Sequence, residues 1–497
     1  MIKMKCRFFF FIFFLFTSFA HAKDLAVVSA NKDATRTGLN ILRGGGTAAD
    51  AAVAMAFVLG VAEPHGSGIG GGGFLLYYEK ARNRFWFLDY REAAPAVAKN
   101  EDYAPTATAN EGRLSDTGAK AAAVPGFVAG MDDIHKRFGK RAWADLLMPA
   151  IDLARAGFVP SDFLKQKYVG EKERLGSQAG MALFFDKALT AKNDVLKMEN
   201  LALTMEKIQK GGAEEFYRGA LARVILAELK AAGSVIGAED LHSYRVFSRK
   251  PYDFLFNDYR ILSAPLPSTG GIFLEEALRG AQDAGVKSGT PAFTEWFAKE
   301  LVTYFAKRNG LADTEAGILG DTTHLCVIDA EGNIAAMTNT INSAFGSGVI
   351  LPGTGILLNN EMDDFVFDPN KKSANHINDR NRPLSSMSPT IVFKGFNPVL
   401  VLGTPGGLTI PLNIYQVLQR HLVEGQSLWA AMAEPKFYSF PQQEKAFYEK
   451  GYNALSQSLT LKPTQAEKPV GNVQAILIDG DKLDPVSDPR GEGVGGK

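Results

Sequence analysis

The sequence predicts an α/β (α+β) chain, and three observations carry that expectation. An alanine-rich helical stretch runs into the strand-like Phe74–Tyr78, the middle third has helical periodicity, and from Thr322 onward strands and glycine turns take over. Small side chains along the first helix imply that it packs closely on a sheet. At 497 residues, length alone suggests about three units of roughly 150 residues, although α/β folds run longer as one.

The N-terminus reads as a secretory signal. Lys3, Lys5 and Arg7 precede the apolar run Phe8–Phe16, which leads to the small-residue ending Ala20-His21-Ala22. That run is shorter than the about 20 residues a bilayer span needs. The expectation is cleavage after Ala22 (signal 1–22) and a soluble periplasmic or secreted protein starting at Lys23, with no later membrane span. Cys6 precedes the apolar run, which argues against a lipoprotein; its loss leaves Cys326 alone and excludes an internal disulfide. Lys+Arg 54 balances Asp+Glu 54, so charge favours no nucleic-acid partner.

Along the chain, Asp33–Leu42 is helical and ends at Gly44-Gly45-Gly46, and Thr47-x-x-Asp50 looks like a capping box opening a helix through Val58. In "EPHGSGIGGGGFLLYY", Gly66, Gly68 and Gly71 satisfy G-x-G-x-x-G. A dinucleotide loop follows a strand and opens a helix, whereas here the helix comes first and the strand follows, which favours a closely packed turn. "RFWFLDY" reads as a strand running into Arg91, Trp143–Ala232 as largely helical, and "APLPSTGG" after Ser263 as a loop before a helix. Phe293–Lys307 reads as another helix and "RNGLADTEAGILGD" as an exposed connector. Near the end, Glu444–Ser456 reads as helix-like and "VQAILIDGD" as a strand.

The chemistry is concentrated in "GILGDTTHLCVIDAEGNIAAMTNTIN", Gly317 to Asn342. Thr322–Ile328 and Ile334–Ile341 form a hairpin around the loop "DAEGN". If that loop is symmetric about Glu331, Ile328 faces Ile334 and Thr322 faces Thr340, with Cβ atoms about 5 Å apart. Asn342 continues on the face of Thr340. His324 shares the face of Thr322 but lies about 6.6 Å along the strand, beyond the about 3.2 Å a general base must reach. A threonine without a base has its own α-amine as the remaining route to activation, which requires a cut between Asp321 and Thr322. Thr322 Oγ1 could make that cut by attacking the Asp321 carbonyl, helped by an effective molarity of about 10⁵ M or more. An ordinary strand start with two hydroxyls is the alternative.

These residues resemble the γ-glutamyltransferase (γ-glutamyltranspeptidase, glutathione hydrolase) family of N-terminal-nucleophile hydrolases. The resemblance covers most of the exported chain, through "GGTAADAAVA", "EPHGSGIGGGGFLLYY", "DYREAAP", "AVPGFVAGM", "EFYRG", "APLPSTGG", "TTHLCVIDAEGN", "FGSGVILPGTGILLNNEMDDF", "RPLSSMSPTIV", "GTPGG" and "SDPR". It implies a four-layer αββα sandwich and self-cleavage into a large subunit (23–321) and a small one (322–497) that stay associated. It implies a threonyl γ-glutamyl ester and neither a metal nor an organic cofactor. Substrates would be γ-glutamyl compounds such as glutathione, with water or amino acid and dipeptide acceptors.

By the same resemblance, Thr322 is the nucleophile and Thr340 the threonine that hydrogen-bonds it. Arg91, Ser385 and Ser386 hold the glutamyl α-carboxylate, which suits a guanidinium fork and two hydroxyls. Asn342, Glu361 and Asp364 hold the α-ammonium. In isolation the cluster Glu361, Asp363 and Asp364 reads as a hard-metal site or a solvated turn, and no ligand spacing supports the metal. Gly406 and Gly407 supply oxyanion amides at the bend of "VLVLGTPGG", between a strand and a helix-like run. Two segments depart from the family by being short: Gly271 to Thr322, and Asp364 to Ser385, which has no tyrosine to act as a gate and leads us to expect an open cleft. Rival readings are a cephalosporin-type acylase on the same fold, a poly-γ-glutamate depolymerase, and an unprocessed, inactive binding protein.

Overall fold

The computed structural model describes residues 24–103, 113–176, 178–181, 195–311, 320–368, 370, 372–441, 444–466 and 470–497. The expected signal and, from Ala312 to Leu319, the expected connector lie outside them.

Seven strands make the first sheet, in the spatial order β16 (Val494–Gly496), β1 (Ala26–Ser29), β7 (Thr322–Ile328), β8 (Ile334–Thr340), β2 (Gly72–Glu79), β3 (Arg84–Asp89) and β4 (Phe247–Arg249). Six make the second, in the order β15 (Lys482–Ser487), β14 (Gln474–Asp479), β10 (Asn397–Gly403), β9 (Thr390–Lys394), β6 (Tyr259–Ser263) and β5 (Tyr252–Phe256). A small third sheet joins β11 (Phe437–Phe440), β12 (Lys445–Tyr448) and β13 (Thr464–Gln465).

The central strands β1, β7, β8 and β2 are buried on both faces, whereas the edge strands β16 and β4 are largely exposed. Leu75, Tyr77, Leu325, Val327 and Met337 pack with the helices Lys32–Arg43 and Ala48–Ala62. Their neighbours Phe74, Leu76, Cys326, Ile328 and Ala336 point the other way, into the core shared with the second sheet. Beyond that sheet lie the helices Gly270–Ala284, Pro291–Leu311 and Ile410–Leu418, whose inner residues join the same core. The order is helix, sheet, sheet, helix, the four layers that the resemblance implied.

The helix Ala48–Ala62 is buried around nearly its whole circumference, and its small side chains let it lie close to the first sheet. Thr47 and Asp50 form the expected capping box, and the helix runs past Val58 to Ala62. Glu444–Ser456 is not a helix. Its first half is β12, paired with β11, because distant partners hold the chain extended: buried Glu449 accepts from Lys436 N–H at 2.9 Å and from Val470 N–H at 3.0 Å. Local periodicity loses to these bonds.

Among the described residues, no helix is long and apolar enough to cross a membrane. Both large sheets combine strands from either side of residue 322, with β1 hydrogen-bonded between β7 and β16 and β6 paired to β9.

Candidate active site

The hairpin register is the expected one: Thr322 faces Thr340 and Ile328 faces Ile334. Alternation sends Thr322, His324 and Cys326 toward the second sheet. His324 is fully buried, with Nδ1 2.8 Å from Thr338 Oγ1, and burial pushes its pKa down to about 3. A neutral imidazole with that partner fills space against β10, where a Cβ on Gly403 would come within 2.2 Å of its ring. Cys326 is buried too, and burial pushes its thiol up, away from reactivity.

Thr340 is placed at the peptide bond between Asp321 and Thr322. Thr340 Oγ1 lies 3.2 Å from Thr322 Oγ1 and donates to the Asp321 carbonyl at 3.1 Å. A hydroxyl has one proton to give, so Thr340 receives from Thr322 O–H and from Asn342 N–H, the latter at 2.9 Å. The junction is held from both sides: Asp321 N–H donates to Asn342 O at 2.9 Å, and Lys167 Nζ, from the helix Asp162–Leu175, grips the Asp321 carboxylate at 2.7 and 2.9 Å. This geometry polarises the Asp321 carbonyl while leaving the Thr322 hydroxyl beside it.

Underneath runs the glycine-rich turn. A Cβ on Gly66 would come within 3.3 Å of Thr322 O, and one on Gly71 within 2.1 Å of Thr340 O. Glycine at these two positions is what allows the backbones to meet. Thr323 Oγ1 donates to Glu63 Oε2 at 2.9 Å, and burial, opposed by that bond, raises the Glu63 carboxyl to about 7. Burial lowers His65 to about 4.

If the chain cuts itself between Asp321 and Thr322, Thr340→Ala is expected to slow formation of the two fragments by about 10²-fold or more, the usual effect of removing a donor to a developing oxyanion. Thr340→Ser should recover most of the rate. Time-resolved denaturing electrophoresis reads both, and an unchanged rate in Thr340→Ala removes Thr340 from the cut.

One pocket opens at the Thr322 end of the hairpin. All of the residues expected to act on substrate line it except Gly406: Thr322, Thr340 and Gly407 beside Arg91, Asn342, Glu361, Asp364, Ser385 and Ser386. Arg91 is 1% exposed, so it is no surface charge. Asp89 orders the turn behind it, accepting from Arg91 N–H at 3.0 Å and pairing with Arg382 at 2.5 Å. The Arg91 guanidinium meets Glu361 at 2.6 Å and Asp364 at 2.5 Å, and donates to the carbonyls of Pro383 and Leu384 at 3.0 and 2.7 Å. The residue expected to hold the carboxylate is thus paired with two of those expected to hold the ammonium. Burial pushes the Glu361 carboxyl up, against the pull of Arg91, and raises neighbouring Glu92 to about 7.

Asp363 turns elsewhere, to Ser115 Oγ at 2.6 Å and Arg113 at 3.3 Å. Among the described residues, the acidic cluster does not gather on one point as a metal site needs. Ser385 is fixed by the loop Pro265–Thr269, donating its N–H to Pro267 O at 2.8 Å. Gly407 (φ 56°) and Gly406 (φ 131°) take conformations that only glycine accepts easily, at the bend between β10 and the helix Ile410–Leu418.

Sequence reasoning missed Lys167 and Arg308. Nothing local marks Lys167, since its partner is 154 residues away. Arg308 had a signal: Phe297, Leu301 and Tyr304 form a buried stripe at helical spacing, and the next position on it is Arg308, 3% exposed and lining the pocket. Ending the helix at Lys307 put that residue in a connector, whereas the helix continues to Leu311.

A family model described as Gamma-glutamyltranspeptidase matches residues 34–319 and 315–496. The chain is 34% identical over 527 residues to the Glutathione hydrolase proenzyme of Pseudomonas aeruginosa, across 95% of this chain and 94% of that one. It is 31% identical over 532 residues to the Glutathione hydrolase proenzyme of Escherichia coli (strain K12), across 94% and 91%. A solved cephalosporin acylase from Bacillus halodurans superposes with a TM-score of 0.81 at 24% identity over 96% of each chain, a likeness of fold. Gamma-glutamyltranspeptidase from Pseudomonas nitroreducens, complexed with L-DON, aligns with a TM-score of 0.52 at 35% identity over 56% of this chain and 84% of that one.

Proposed function

The chain belongs to the gamma-glutamyltranspeptidase family, and from that premise we propose that it hydrolyses and transfers γ-glutamyl groups, from glutathione or a similar donor, after cutting itself between Asp321 and Thr322. The observation that carries this reading is the hydrogen-bond chain from Thr322 through Thr340 to the Asp321 carbonyl. In the cut, Thr322 Oγ1 adds to that carbonyl and the C–N bond breaks. Water then hydrolyses the ester, leaving Asp321 as a carboxylate and Thr322 with a free amine and hydroxyl. In turnover, the amine takes the hydroxyl proton as Oγ1 attacks the γ-carbonyl, and the proton goes on to the leaving amine. The amide N–H groups of Gly407, which lines the pocket, and of adjacent Gly406 are assigned to the oxyanion. Water or an acceptor amine then releases the glutamyl group.

Charge balance supports a zwitterionic glutamyl group. Arg91 with Glu361 and Asp364 forms a cluster of one buried cation and two carboxylates. A donor carrying an α-carboxylate and an α-ammonium can enter that cluster by exchanging partners, the carboxylate to Arg91, Ser385 and Ser386 and the ammonium to Asn342, Glu361 and Asp364. No net charge is stranded in the process.

N-terminal sequencing of the lighter fragment is expected to read Thr322, Thr323, His324, and the material should release p-nitroaniline from γ-glutamyl-p-nitroanilide, with glycylglycine reporting transfer. A cut, folded protein inert toward that donor would sink the proposal. We also propose export, on the basic and apolar pattern of residues 1–22; a heavier fragment beginning at Lys23 is the expected reading, and one retaining residue 1 rules it out.

A further inference from the structure

Arg308 is a buried cation that the proposed reaction leaves unused. Its side chain is 3% exposed, lines the pocket that holds Thr322, and has Nε and Nη1 without a hydrogen-bond partner among the described residues. Its Nη2 points to Ser386 Oγ at 3.4 Å, a long contact. The polar groups facing it are neutral hydroxyls: Ser386, and Tyr304 one turn back along the helix, which bonds Thr269 at 2.8 Å and also meets the guanidinium. Guanidinium stays protonated in a protein, and a buried one is ordinarily matched by an anion. Arg91 in the same pocket has its counter-ions; Arg308 has none among the described residues.

We propose that Arg308 is a specificity-determining residue of this site, completing with Ser386 the seat for the carboxylate of the acyl donor. The proposal rests on the γ-glutamyl reading only for which carboxylate is bound. Arg91 must exchange its two acids to receive a carboxylate, whereas Arg308 offers Nε and Nη1 with no partner among the described residues. A planar fork with two open N–H groups suits a carboxylate in two-point contact. No covalent step is added, and Arg308 acts by binding alone.

Two measurements on the mature two-fragment protein test this. First, kcat/KM is compared for γ-glutamyl-p-nitroanilide and for its α-carboxamide, which keeps the ammonium and loses the negative charge. In Arg308→Met the carboxylate donor is expected to fall about 10–100-fold, mainly through KM, as when a hydrogen-bonded charge partner is lost. The carboxamide should hold nearly steady, and Arg308→Lys should recover part of the difference. An equal fall for both donors, or an unchanged ratio, overturns the assignment. Second, calorimetry measures binding of glutarate, which cannot turn over: wild type and Arg308→Lys bind, and Arg308→Met weakens binding by a similar factor. Wild type that ignores glutarate also overturns it. If no γ-glutamyl anilide is hydrolysed but glutarate binding follows Arg308, the γ-glutamyl reaction is wrong and the anion seat stands. If the anilide is hydrolysed and both measurements are indifferent to Arg308, the reaction stands and the anion seat is wrong.

Discussion

Thr322→Ala is expected to leave one full-length chain where the proposed cut gives two fragments in the wild type, and to lower turnover of γ-glutamyl-p-nitroanilide by at least about 10⁴-fold. Two losses come from one atom. Without Oγ1 nothing attacks the Asp321 carbonyl, so the Thr322 amine is never freed; without Oγ1 there is also no group to carry the glutamyl ester. Thr340 stays beside Asp321 O but has nothing to activate. Thr322→Ser keeps the oxygen and loses a methyl group at a site only 7% exposed, so it should still process. Denaturing electrophoresis with a parallel anilide assay reads both effects, and two fragments in Thr322→Ala would remove the residue from the cut.

Arg91→Met is expected to destabilise the protein by about 3–5 kcal/mol, the range for breaking a buried ion pair by deleting one member. Glu361 would remain buried without its partner, Glu92 would keep only the field of Arg382, and the carbonyls of Pro383 and Leu384 would lose their donor. Adding Glu361→Gln should recover part of that loss, since the stranded charge is then gone. Donor turnover should fall in both variants. Processing is expected to persist wherever the variant is folded, because none of the bonds described at Thr322, Thr340 and Asp321 reaches Arg91. Urea unfolding midpoints and fragment yields measure the two effects separately. A midpoint equal to the wild type would show that the pair is not held as described.

What the sequence disclosed follows the reach of each interaction. The register of Thr322 on Thr340 was legible because a five-residue loop sets it and alternation carries it back along the strands. The cap at Thr47 and the close turn at Gly66–Gly71 were legible for the same local reason. The pairing of Arg91 with Glu361 was not, since residues 270 apart in the chain carry no shared pattern. Resemblance brought both to one pocket but assigned them to different groups on the substrate's α-carbon, without their pairing to each other. β12 was lost to a helical periodicity that Glu449 overrides through bonds to Lys436 and Val470. Arg308 was within reach of periodicity and was missed by one residue at a helix boundary, the least secure kind of reading from a single sequence.

The interleaving of both large sheets bears on what happens to the pieces once the chain is cut. Each fragment supplies neighbouring rungs of the same ladders, so parting them means dismantling two hydrophobic cores rather than undocking two finished bodies. If the proposed cut occurs, the severed halves should therefore not trade partners between molecules in dilute solution, and their union should be independent of concentration although the peptide link between them is gone.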